Sequence, residues 1–230
     1  MRLCCVLLTA GAATLAAGPV RAEEPVGLMA ADEAMVERLL RPRSMEQLDV
    51  EYESAKRRVA AAEQDLAEAT PVAQLARARV DVKKDEIALL KARVKLARRE
   101  GNADSRAQLE RQLAREELSL QVFAAMREAS AAQASRAEAA LAFGNARLRM
   151  CAAEIELAHQ RDARLAAVAP APESGTFDAE IRQSMREALK DLRDYAKQSR
   201  RLAETTNDLA EARLDLLNTW EKYKGPDPSR

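Results

Sequence analysis

The sequence predicts an all-α protein, a long antiparallel coiled-coil hairpin with a third helix packed along its base. Three observations carry this. Apolar or small residues recur at alternating three- and four-residue spacing from Met45 to Leu165. Aromatic residues make up only 3% of the 230 residues and charged residues 32%, a profile of long helices rather than of an enzyme core. No β-branched stretch alternates in the way a strand requires.

The first arm begins at Ser44-Met45-Glu46-Gln47, which reads as a capping box. Its seam runs Leu48, Tyr52, Ala55, Val59, Ala62, Leu66, Ala69, Ala73, Ala76, Val80, Ile87, Leu90, Val94 and Ala97, with Lys83 the one strong exception. A seven-residue repeat of this length supercoils two helices left-handedly. Pro71 falls at an outward-facing position of the repeat. The register passes it unshifted, which predicts a kink near residue 71 rather than a reversal. The competing reading makes Thr70 the N-cap of a new helix starting at Pro71.

Gly101-Asn102 is the predicted tip. A tight reversal there makes facing residue numbers sum to 203, so that Val59 meets Gly144, Leu90 meets Leu113 and Val80 meets Phe123. Large residues then mostly face small ones, as close packing requires. A longer loop with Ser105-x-x-Gln108 as the capping box would shift that register. In the second arm Glu116, Arg127, Ser130 and Asp162 interrupt the seam.

A third helix is predicted from about Phe177 to Tyr223, after the breaker-rich connection 169–176. The second arm carries another apolar row, Val122, Ala129, Phe143, Met150 and Leu157, roughly opposite its hairpin seam. An antiparallel return gives numbers summing to about 345, placing Phe143 beside Leu202 and Met150 beside Tyr195. The base thus reads as a three-helix assembly. The third helix would cover Leu75 and extend toward Val82, and would end near the level of Val122. Leu89 and Leu96, in line with Leu75 and Val82, stay uncovered. They and the tip residues Gly101 and Asn102 are the candidate partner-binding residues, for a protein partner or for self-association.

Residues 1–22 read as a signal peptide, with Arg2, an apolar run from Val6 to Ala17 and a cleavage site at Val20-Arg21-Ala22. The style is bacterial, which implies the periplasm and a mature chain without a transmembrane segment. A lead-in at 23–43 holds a short amphipathic helix at Asp32 to Leu40, and 224–230 form a disordered tail.

Chemistry-bearing residues are sparse. The single His159 has neither an orienting partner nor the companions a zinc site needs. Cys151 occupies a core position of the second arm and reads as a buried small hydrophobe. No phosphate loop, nucleophile motif or metal-spaced cluster occurs, so no catalytic residue, cofactor, metal or small-molecule substrate is assigned. The 37 basic and 37 acidic residues are interleaved, and no one-sided basic face marks a nucleic-acid binder.

Leu75 to Glu100, Gly101-Asn102 and Leu109 to Leu120 resemble the periplasmic α-hairpins of bacterial tripartite efflux and secretion systems. Those hairpins belong to membrane-fusion adaptors and outer-membrane channel proteins. The stretch Asn207 to Asn218 is similar to helical segments of such channels. The chain lacks the lipoyl-like segments, β-barrel segments and membrane strands of those proteins. It resembles more closely the alanine-rich exported coiled-coil proteins of unassigned role. The long hairpin, with its tip and leucine row, reads as a non-catalytic spacer or docking module of the envelope. The alternatives are an accessory hairpin of a trans-envelope export complex and a periplasmic holdase chaperone.

Overall fold

The computed structural model describes residues 43–166 and 174–224. They form three α-helices: α1 (Met45–Arg99), α2 (Ala103–Ala166) and α3 (Ser174–Lys224). There is no strand among the described residues. The signal peptide, the short helix at 32–40, most of the Pro-rich connection and the tail lie outside the described residues.

Ser44 opens α1 as the capping box anticipated. Its hydroxyl accepts from the Gln47 N–H at 3.2 Å, and the Gln47 side chain accepts from the Ser44 N–H at 3.4 Å. The helix then runs unbroken through Pro71, which overturns a fresh start at Thr70. The Thr70 hydroxyl donates to the Leu66 carbonyl at 2.9 Å instead of capping a new helix. Pro71 is tolerated because it is exposed, as is Ala67, whose carbonyl loses its usual donor and can turn to water.

The burial pattern of α1 follows the seven-residue repeat. Every buried residue of the helix lies on the anticipated seam: Leu48, Ala55, Ala62, Ala69, Val80, Ile87, Leu90, Val94 and Ala97. The intervening seam positions are half-buried. The α1–α2 register is also as anticipated at its tightest layer. A Cβ built on Gly144 would lie 2.9 Å from Val59 Cγ2 and 3.6 Å from Val59 Cα. Only a residue without a side chain lets the two backbones come this close.

The middle helix has two faces. One meets α1 through Ala137, Gly144 and Cys151, all buried. The other meets α3 through Val122, Ala129, Met150 and Leu157, together with Ala125, Ala139 and Ala146. Ala139 and Ala146 are fully buried, the small half of a seam whose large half was visible in the sequence. α1 packs on α2 and α2 on α3, but α1 and α3 share no packed interface. The third helix thus packs on α2 rather than closing a three-helix base.

The α2–α3 contacts depart from the expected pairing. Phe143 packs on Tyr195, with ring centroids 4.9 Å apart, where the expected sum set it beside Leu202. Arg149 pairs with Asp194 and comes within 3.8 Å of Asp191. These pairs sum to 338–343 rather than 345. α3 starts at Ser174, about three residues before the expected Phe177. Gly175 is inside the first turn of α3 instead of in the connection. α3 also leaves Leu75 and Val82 bare, at 49% and 58% exposed. Its cover of α2 does end near Val122: Val122 is buried and Leu118 is 43% exposed.

Candidate docking surface and hairpin tip

The tip is built by three residues with separate tasks. Gly101 takes φ +69°, the left-handed conformation that favours glycine, immediately after the C-cap Glu100. The Asn102 N–H then reaches back to the Ala97 carbonyl at 3.3 Å, while the Glu100 N–H bonds the Leu96 carbonyl at 3.0 Å. This is a Schellman closure of α1. Asn102 also starts α2, because its Oδ1 accepts from the Ser105 N–H at 3.0 Å. The cap is therefore Asn102 and not Ser105, and the short connection keeps the register. No atom lies within 4 Å of the position a Gly101 Cβ would occupy, so the tip is open.

Just behind the tip a charged latch ties the arms. Glu110 of α2 meets Arg106 at 2.8 Å and Arg98 of α1 at 3.7 Å. The Arg106 hydrogen bond holds the Glu110 carboxyl below its ordinary 4.5. Lys91 and Glu117 bridge the arms one step further down, at 2.9 Å. Next comes Lys83, the exception in the α1 seam. Its Nζ is 2.9 Å from Glu116, an exception in the α2 seam, 2.5 Å from Glu86 and 5.8 Å from the Phe123 ring centroid. At the other end Arg43 holds Glu51 at 2.9 Å and pairs with the buried Glu154 of α2.

On the side of α1 turned away from α2, Leu75, Val82, Leu89 and Leu96 stand in a row at seven-residue spacing. Leu89 and Leu96 are 64% and 55% exposed. The row and the tip share one helix end but are distinct surfaces. Gly101 and Asn102 present backbone and an amide at the point, whereas the leucines lie along the flank.

Cys151, His159 and the aromatic pair near the end of α3 lie apart from this surface. Cys151 is fully buried between α1 and α2. His159 is exposed near the end of α2. Trp220 and Tyr223 are half-buried and stacked, with centroids 5.7 Å apart, and Lys224 lies over Trp220 at 5.6 Å. Among the described residues no group of His, Cys, Asp or Glu could hold a metal ion. No described helix is long and apolar enough to cross a membrane. Sequence reasoning missed the Arg43–Glu154 pair. Its signal was a charge, Glu154, only three residues past the core position Cys151.

Compared with protein-family models, with curated proteins and with solved structures, the chain matches none.

Proposed function

We propose that this is a non-catalytic structural protein of the bacterial envelope, exported through residues 1–22, that works as a coiled-coil spacer and docking module. The observation that carries the reading is the exposed leucine row on α1. The opposite face of the same helix is already filled by α2, so the row contributes nothing to the fold of the described residues. A helix that keeps large apolar side chains in water over three heptads is suited to covering them with protein.

The mechanism is geometric. At 1.5 Å per residue α1 spans about 80 Å. Its caps, seam and cross-arm ion pairs hold the tip at a fixed distance from the base. A partner is recognised by shape and apolar contact along the flank, without a bound substrate.

The test is a photo-crosslinking residue at Leu89 and, separately, at Asn102, in intact cells. Capture of a protein at Leu89 supports the docking reading. Capture of export-channel or adaptor proteins at Asn102 alone would move the assignment to an accessory hairpin of a trans-envelope complex. Absence of capture at both positions would overturn the docking role.

A further inference from the structure

The leucine row is half of a second seam that one charge interrupts. Between its members, on the same face, stand small residues at the intervening position, giving Leu75, Ala78, Val82, Leu89, Ala92 and Leu96 at three- and four-residue spacing. All six are exposed. Asp85 occupies the one remaining position. At 100° per residue this seam is turned about 150° from the one that meets α2. The two faces of α2 stand at the same angle, and there both are covered. The run of large apolar residues breaks off at Pro71. Toward the base the same face is mostly polar, with Glu68, Gln64, Arg57 and Ser54 among Ala61 and the exposed Val50.

Resting on the docking reading above, we propose that the partner on this surface is a second copy of the chain, running antiparallel, with facing residue numbers summing to 167. In this register Leu75 faces Ala92 of the second copy and Leu89 faces Ala78, each twice by symmetry. Large meets small in these layers, as at Val59 and Gly144 in the hairpin. Leu96 ends on Pro71, where the run of large apolar residues breaks off. The overlap of about 26 residues is some 39 Å long at the helical rise.

Flanking charges select this arrangement. Arg79 of one copy comes beside Glu86 of the other, twice, and next to Asp85, which sits opposite Val82. Sliding one heptad, to a sum of 174, sets Arg79 against Arg93 and Glu86 against Glu86. A parallel pair sets Asp85 on Asp85 and Asp81 on Glu86. Like charges at such flanking positions exclude a pairing, and opposite ones choose it.

The experiment is sedimentation equilibrium on the full chain, with thermal melting to check the fold of each variant. Wild type should dimerise. Arg79→Glu and Glu86→Arg should each weaken the dimer about tenfold or more by opposing like charges. The double variant R79E/E86R should restore it. Lys83 keeps Glu116 when Glu86 is changed, so the hairpin is not undone by the test. Leu89→Glu should give a monomer that still melts cooperatively, at the temperature wild type shows when diluted to monomer.

A wild-type monomer at every concentration overturns the dimer. Capture of another protein at Leu89 would still support the docking role. A dimer indifferent to Leu89→Glu uses another surface and overturns the proposal. A dimer tightened by Glu86→Arg is parallel and overturns the register.

Discussion

Lys83 and Glu116, the charged interruptions of two facing apolar seams, are bonded to each other, Nζ to Oε2 at 2.9 Å. Both side chains are largely covered, at 18% and 27% exposed. Each is costly in an apolar seam alone and acceptable with the other. Removing one partner leaves a partly desolvated charge, whereas removing both can be neutral or stabilising. Glu116→Leu alone should therefore lower stability by about 1 kcal/mol, softened because Lys83 keeps Glu86. The pair K83L/E116L should recover that loss. A double-mutant cycle by urea unfolding measures it, and additive losses would show that the two do not couple.

The same lysine gives a pH dependence. The Glu86 hydrogen bond chiefly raises the Lys83 pKa above its ordinary 10.5. Burial opposes this and Glu116 adds to it. A raised folded-state pKa means that the folded protein holds the proton more tightly than the unfolded chain. The stabilisation is complete below the unfolded value and is lost as pH rises through the folded one. Melting temperature should thus fall above about pH 10.4. In Lys83→Met that alkaline slope should be shallower. Equal slopes in the two proteins would exclude Lys83 as its source.

Gly144 and Val59 set the closest approach of α1 and α2. Glycine inside a helix costs about 1 kcal/mol relative to alanine, so Gly144→Ala should stabilise if propensity ruled. Here the new Cβ would stand 2.9 Å from Val59 Cγ2, and the β-branched valine has little rotamer freedom to yield. Overpacking of this kind costs about 1–3 kcal/mol. Gly144→Ala should therefore be destabilising by chemical denaturation, and adding Val59→Ala should reverse the sign.

These positions also show why some of the molecule was legible in its sequence and some was not. The α1 seam was readable because a seven-residue repeat maps directly onto one face. The tip was readable because glycine followed by asparagine supplies both a left-handed residue and a cap. The α2–α3 pairing was harder. Neighbouring registers along a repeat bury nearly the same apolar set, so the start of α3 and pairs such as Phe143 with Tyr195 decide among them. The alanine half of that seam, Ala139 and Ala146, was hidden because exposed faces of these helices are alanine-rich too. The outer row was visible as leucines. That the third helix leaves Leu75 and Val82 bare follows from α2 having two nearly opposite faces, a relationship in space that neither helix shows alone.

Pro71 offers a prediction in which local and tertiary terms separate cleanly. The helix is continuous across it, yet its ring deletes the bond to the Ala67 carbonyl. The intrinsic penalty of proline inside a helix is about 3 kcal/mol. Part is offset because proline also restrains the unfolded chain, by about 0.4–1 kcal/mol. Pro71 and Ala67 are both exposed, so water reduces the cost further. Pro71→Ala should raise stability by about 1–2 kcal/mol, measured by urea unfolding at a concentration where the chain is monomeric. A loss of stability would mean that the backbone geometry at the proline is what lets Ala69 and Ala73 reach α2. In that case the residue is part of the packing and not merely tolerated by it.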